Sequence, residues 1–167
     1  LCLLPRIARA HIMITADKLE NYLHEHIPLT MAMEVKVVAL EETALVLAAP
    51  LAPNINHRET VFGGSASALG ILAAWCVVHV KLDREEGIVP RIVIQRNTME
   101  YEKPILSHFE ATCEFPREME WNRFVDSLRR KGMGRLRLES VLTCEGKEVA
   151  RMGGTFVAFD MAKAPPS

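Results

Sequence analysis

From Ser65 to Val80 the chain reads SASALGILAAWCVVHV, with no charged side chain before Lys81. A helix that is apolar on every face must be covered on every face, so the rest of the chain has to wrap around it. Insertion into a bilayer is the competing explanation, but a spanning helix needs roughly 20 apolar residues and this run is shorter. The strand-like segments on either side would also have no partner in a membrane. A central helix wrapped by sheet is therefore the expectation. The 167 residues, 49% apolar and 25% charged, make one ordinary globular domain large enough to bury such a helix. That composition excludes disorder and a collagen-like fibre. With 20 Lys and Arg against 21 Asp and Glu, no global field exists to gather nucleic acid or an anionic membrane.

The elements around the helix follow from periodicity. Ala16–His26 reads as a helix capped by Thr15, with Leu19, Tyr22, Leu23 and Ile27 at helical spacing and Pro28 as its stop. Glu34–Leu40 and Thr43–Ala49 read as a hairpin. Pro50 and Pro53 open a polar loop that ends at Gly63-Gly64. After the apolar helix come a strand over Pro90–Tyr101, then Phe109–Phe115 alternating with period two. An amphipathic helix over Glu118–Lys131 stops at Gly132. Arg135–Cys144 and Glu148–Phe159 form a second hairpin about Glu145-Gly146-Lys147. The order is helix, two strands, buried helix, then four strands with a short helix inserted.

The four cysteines, at 2, 76, 113 and 144, form no Cys-x-x-Cys pair. Neither a disulfide framework nor structural zinc is expected, which favours a reducing cytoplasm. Residues 1–15 read as an extension, from cloning or a mis-set start, with Met13 a candidate beginning. They lack the order of charge and apolarity of a signal peptide. The domain is expected over 16–160, and 161–167, with two prolines and no periodicity, reads as a loose tail.

The element order, together with Asn56-His57-Arg58-Glu59-Thr60-Val61-Phe62-Gly63-Gly64-Ser65 and the segment Met99-Glu100-Tyr101-Glu102-Lys103-Pro104-Ile105, resembles the hotdog-fold acyl-CoA thioesterases. Within that superfamily the chain looks closest to the YiiD C-terminal domain family, and the resemblance spans residues 16 to 160. It implies an α+β hotdog fold: an antiparallel sheet around a long central helix, continued across a homodimer or paired into a tetramer. It also implies a cytoplasmic place in fatty acid metabolism. The substrate would be an acyl-CoA or acyl carrier protein thioester. No cofactor is expected beyond the coenzyme A that belongs to the substrate, and neither nucleic acid nor membrane is an expected partner.

Thioester hydrolysis passes through an oxyanion, and a helix N-terminus offers unpaired N–H groups and a favourable dipole. Gly63 and Gly64 sit where the apolar helix begins, so the Gly64 and Ser65 amides are candidate oxyanion donors, with Phe62, Gly63 and Leu69 beside the substrate. In thioesterases of the phenylacetate-pathway type, an Asn seven positions before the Gly pair helps hold water or the carbonyl; the matching residue is Asn56. A loop Asn bonding its own backbone explains Asn56 equally well. Those relatives carry His where this chain has Phe62, and an acid where it has Ile71. From Gly63 to His79 there is no carboxylate, so the usual general base is missing. Glu59 is the first substitute and His57 the second. Asn97 and Thr98 fall on the strand that borders the partner's site in hotdog dimers. Ser65 and Ser67 lack the flanks of a nucleophile elbow, and His79 reads as a core histidine. Arg129-Arg130-Lys131, Arg135 and Arg137 suit either phosphate or a solvated helix end.

Two other readings stand beside thioester hydrolysis. A non-catalytic acyl-CoA or lipid-binding module would have kept the cleft and lost the base, which Ile71 favours. A hotdog hydratase or dehydratase ranks lower, because His57 lacks the Pro-rich surroundings of their His motif.

Overall fold

The computed structural model describes residues 14–85 and 87–163. Helix α1 (Ala16–His26) opens at Thr15, whose hydroxyl accepts from the Lys18 N–H at 3.3 Å. A single helical turn, α2 (Leu29–Ala32), follows. Then come β1 (Lys36–Leu40), β2 (Ala44–Ala49), α3 (Gly63–Asp83), β3 (Pro90–Tyr101), β4 (Phe109–Glu114), α4 (Glu118–Lys131), β5 (Met133–Cys144) and β6 (Lys147–Asp160). The first strand starts later than the sequence suggests. Glu34 takes a left-handed turn at φ +55°, and the Val35 N–H donates to the Thr30 carbonyl at 2.9 Å instead of entering a ladder.

The six strands form one antiparallel sheet in the order β1-β2-β4-β5-β6-β3. Helix α3 lies across one face and touches β2 to β6. Alternation supplies that face: Gly134, Leu136, Leu138, Ser140, Leu142 and Cys144 of β5 are buried, while Arg135, Arg137 and Glu139 point to the other side. Contact is close at Gly70, where a Cβ would stand 2.9 Å from the Met152 Cβ. The buried Ser140 hydroxyl donates to the Gly70 carbonyl at 2.8 Å, tying helix to sheet.

Helix α3 runs for 21 residues, beyond the uncharged stretch at both ends. It is long and apolar enough to cross a bilayer, so the length argument against insertion does not hold; what accounts for its apolarity is its burial against the sheet. Nor is it covered on every face. Ser67, Ala68, Ile71, Trp75 and His79 form a half-exposed stripe at helical spacing, on the flank beside β3.

The two sheet edges differ. Along β1, the Glu20 carboxylate of α1 accepts from the Val37 N–H at 2.9 Å and from Lys36 Nζ at 2.8 Å, while His24 Nε2 meets the Val35 carbonyl at 2.9 Å. Strand β3, twelve residues long, pairs only with β6, and among the described residues no strand takes its other edge.

The Met161 N–H donates to the Val89 carbonyl, and the Asp160 carboxylate and carbonyl hold Ala162 and Lys163 in a turn. Cys76, Cys113 and Cys144 are free and buried. Burial pushes the Cys113 thiol up to about 12 and that of Cys76 up as well, so neither supplies a thiolate nucleophile. The proposed extension, apart from Ile14 and Thr15, lies outside the described residues, as does Cys2.

Candidate active site

The loop between β2 and α3 is wired by two asparagines. Asn54, buried at its base, donates through Nδ2 to the Met33 carbonyl at 3.0 Å and the Pro50 carbonyl at 2.8 Å. Asn56 closes the tip. Its Oδ1 accepts from the Arg58 N–H at 2.7 Å, and its Nδ2 donates to Thr60 Oγ1 at 2.9 Å. An Asx turn of this kind lets a short side chain replace missing backbone partners. His57, Arg58 and Glu59 are left exposed at the tip. The loop base is clamped by the Phe62 N–H on the Asn54 carbonyl (2.7 Å) and the Val61 N–H on the Ile105 carbonyl (2.9 Å).

Helix α3 begins directly from this clamp. Phe62 is its N-cap, but its side chain makes no hydrogen bond to the first turn; the first helical bond runs from the Ala66 N–H to the Phe62 carbonyl at 3.1 Å. The N–H groups of Gly63, Gly64 and Ser65 therefore have no intrahelical acceptor. The Phe62 ring folds back over Gly64 so closely that a Cβ there would stand 2.3 Å from Cε1. With the ring in that position only glycine fits beneath it.

A second wall comes from β3. The Tyr101 hydroxyl donates to the Gly63 carbonyl at 2.8 Å, and burial raises its pKa, which keeps it a protonated donor. A cleft of about 360 Å³ lies here, lined by Val61, Gly63, Ala66, Tyr101, Glu102 and Ile105 among others. Tyr101 reaches α3 because β3 carries a bulge at Gln95, between the pairs Ile94–Phe156 and Arg96–Thr155. Ile92 and Ile94 face the core before the bulge; Asn97, Met99 and Tyr101 face α3 after it.

The sequence expectations sort accordingly. Phe62, Gly63, Gly64 and Ser65 stand together at the helix tip, and Asn56 lies in the loop behind them. Asn97 comes within 3.5 Å of Ser67 Oγ, farther along the helix. Thr98 does not join them, because the bulge turns it to the opposite face, where its hydroxyl meets the Gly153 carbonyl at 3.5 Å. Leu69 is fully buried in the core, since its position on α3 turns it away from the exposed stripe. Glu59 and His57 are on the loop tip and do not line the cleft; the carboxylate that does is Glu102. Tyr101 and Glu102 went unrecognised as site residues, although one signal was available: the apolar positions of β3 switch from even (92, 94) to odd (99, 101), the mark of a bulge.

His79 stacks on Tyr22 at 4.7 Å and on Trp75 at 4.8 Å, and Tyr22 in turn stacks on His26 at 4.1 Å. Burial lowers the His79 pKa, with His26 adding to the shift and Asp83 opposing it. The ring is a neutral packing element joining α1 to α3.

An antiparallel sheet around one long helix, with the helix tip opening beside a cleft, is the hotdog architecture of thioesterases. Residues 16–160 match the family described as "Putative thioesterase (yiiD_Cterm)", and the chain belongs to that family. It is similar to a solved protein of unknown function from Chlorobaculum tepidum at 30% identity, with TM-score 0.81 over 87% of this chain and 94% of that one. A structure from Shewanella oneidensis, described as a "putative thioesterase", matches at 27% identity and TM-score 0.76, over 86% and 96% of the two chains. A thioesterase from Haemophilus influenzae shares the fold at 12% identity, TM-score 0.66, over 92% and 96%.

Proposed function

We propose that the protein hydrolyses an acyl-CoA or acyl carrier protein thioester by direct attack of water, working as a cytoplasmic homodimer or tetramer. The observation that carries this reading is the tip of α3, where the N–H groups of Gly63, Gly64 and Ser65 have no intrahelical acceptor and Gly63 lines a cleft walled by Tyr101. A thioester carbonyl placed there would have its oxygen polarised by the Gly64 and Ser65 amides and the helix dipole. Removing one such donor from an oxyanion site costs about 10²–10³-fold in rate. Water adds to the carbonyl carbon, a general base takes its proton, and the tetrahedral intermediate collapses with loss of the thiolate. That sequence needs no cofactor.

Glu102, which lines the cleft, is one candidate base; Glu59 and His57, the substitutes read from the sequence, are exposed at the tip of the loop that leads into α3 and are the other two. Asn56 serves by holding that loop in register, and Asn97 borders the helix flank along which an acyl chain would run. Release of free thiol from a panel of acyl-CoA substrates tests the reading, with Glu59→Gln, His57→Ala and Glu102→Gln measured in parallel. Full rates in all three variants would reject these assignments. The second reading, an acyl-binding module, is favoured by Ile71 standing where related enzymes carry an acid. Binding without turnover at every chain length would establish it.

A further inference from the structure

On its β5 side, strand β4 pairs along the far end of β5, from Ser140 to Cys144. Beside Met133–Glu139, α4 packs against β5 instead. Between α4 and β5 is a groove of about 420 Å³, within the range of small-molecule sites. Arg123 and Lys131 of α4 and Arg135 and Arg137 of β5 line it, against a single carboxylate, Glu120, above a floor that includes Phe124. Four cations less one anion leave three positive charges in one groove of a chain whose net charge is −1. Among the described residues, none of the four cations is in an ion pair. Other arginines do find carboxylates: Arg129 meets Glu85 at 2.9 Å, and Arg151 lies between Glu139 and Glu148. Arg135 is instead oriented by a neutral acceptor, with its Nε donating to Gln95 Oε1 at 3.3 Å. The helix C-terminus accounts for Lys131 alone; the three arginines share the groove with one carboxylate, Glu120, and none is in an ion pair with it.

We propose that this groove binds a ligand bearing two or more phosphate groups. Guanidinium forks match phosphate oxygens in geometry as well as charge, and a single phosphate dianion would leave part of the charge unmet. Such chemistry is offered by the nucleotide end of coenzyme A and equally by a free nucleoside diphosphate. The inference does not rest on thioester hydrolysis.

Titration calorimetry of the full chain at low salt, with pyrophosphate, ADP and adenosine 3′,5′-bisphosphate as probes, tests it. Saturable binding of pyrophosphate is expected, weakening as salt is raised. The double variant Arg135→Gln/Arg137→Gln, and separately Arg123→Gln, should weaken it by about tenfold or more. Lys147→Gln, at the start of β6, should change it less than about twofold, the usual scatter of a surface substitution. Tighter binding of the bisphosphate than of ADP would point to coenzyme A as the source, and equal binding to a free diphosphate. No saturable binding by any probe, or an equal loss in Lys147→Gln, overturns the proposal. Circular dichroism checks that the variants fold. Hydrolysis of an N-acetylcysteamine thioester, which carries no phosphate, should be unchanged in them, so failure of the groove and failure of the thioesterase reading are seen separately.

Discussion

Glu59 holds a left-handed backbone, φ +60°, at the tip of the loop beside the helix. For a residue with a Cβ that conformation costs about 1–2 kcal/mol, while glycine takes it freely but loses more entropy on folding. Glu59→Gly should therefore stabilise the protein by about 0.5–1 kcal/mol, read as a raised denaturation midpoint. Glu59→Gln should keep the midpoint where it is. If the carboxylate is the base, both variants lose thioester hydrolysis, and a Gln variant at full rate would remove Glu59 from the mechanism. Strain alone does not mark it as functional, since Glu34 and Glu145 share the conformation at ordinary turns. His79 supports a second residue-level prediction. Its pKa in the folded chain lies below the ordinary 6.5, so as pH falls below about 6.5 the unfolded chain takes up a proton that the folded chain resists. Stability is then lost toward acid and is flat above that range. His79→Phe keeps the stack without the titration, so the free-energy gap between variant and wild type should shift in the variant's favour as pH drops from 7 to 5. Parallel profiles would show that His79 contributes nothing. The loop and glycine pair were legible in the sequence because their signals are local: prolines, turn residues and the abrupt start of an apolar run. The contact between Tyr101 and Gly63 was not, because it joins residues 38 apart through a bulge.

At the scale of elements, α3 is positioned by how closely it can approach the sheet. Gly70 sits against Met152 and Leu142, with a Cβ contact of 2.9 Å that the sheet cannot relieve by rotating a distant side-chain end. Gly70→Val adds branched carbons at that contact. It should destabilise by about 1–3 kcal/mol through overpacking, partly offset by the better helix propensity of valine. A lowered urea midpoint at unchanged slope would confirm it, and an unchanged midpoint would mean that helix and sheet can separate without cost. Most elements could be read from sequence because each carries its own period and stop: α1 between Thr15 and Pro28, α4 ending at Gly132 with φ +71°, and β5 alternating throughout. The turn α2 could not, since its position depends on Thr30 bonding the Ile27 carbonyl and the Val35 N–H returning to Thr30. Nor could the place of β3 at the sheet's edge beyond β6, which is decided by packing around α3 and not by any residue of β3 itself.

For the whole molecule, the asymmetry of the two sheet edges is the feature with most consequence. The start of the β1 edge is covered by Glu20 and His24, whereas β3 presents a long open edge beside the half-exposed stripe of α3. An open edge next to apolar surface favours association with another strand, and antiparallel pairing of β3 with its own copy gives a closed two-fold dimer. Antiparallel pairing also sets the Arg91 end of one β3 near the Tyr101 end of the other, so each cleft would be completed by a second chain. Ala68 lies on the stripe, half-buried in the single chain. Ala68→Arg should be tolerated by the fold, where the side chain can reach solvent, yet place two cations against each other across the two-fold. Light scattering should then give two or four times the chain mass for the wild type and half that mass for the variant, with unchanged circular dichroism. Thioester hydrolysis should fall together with the dimer. A wild-type protein of single-chain mass at micromolar concentration would refute the pairing, and with it the idea that the cleft is shared.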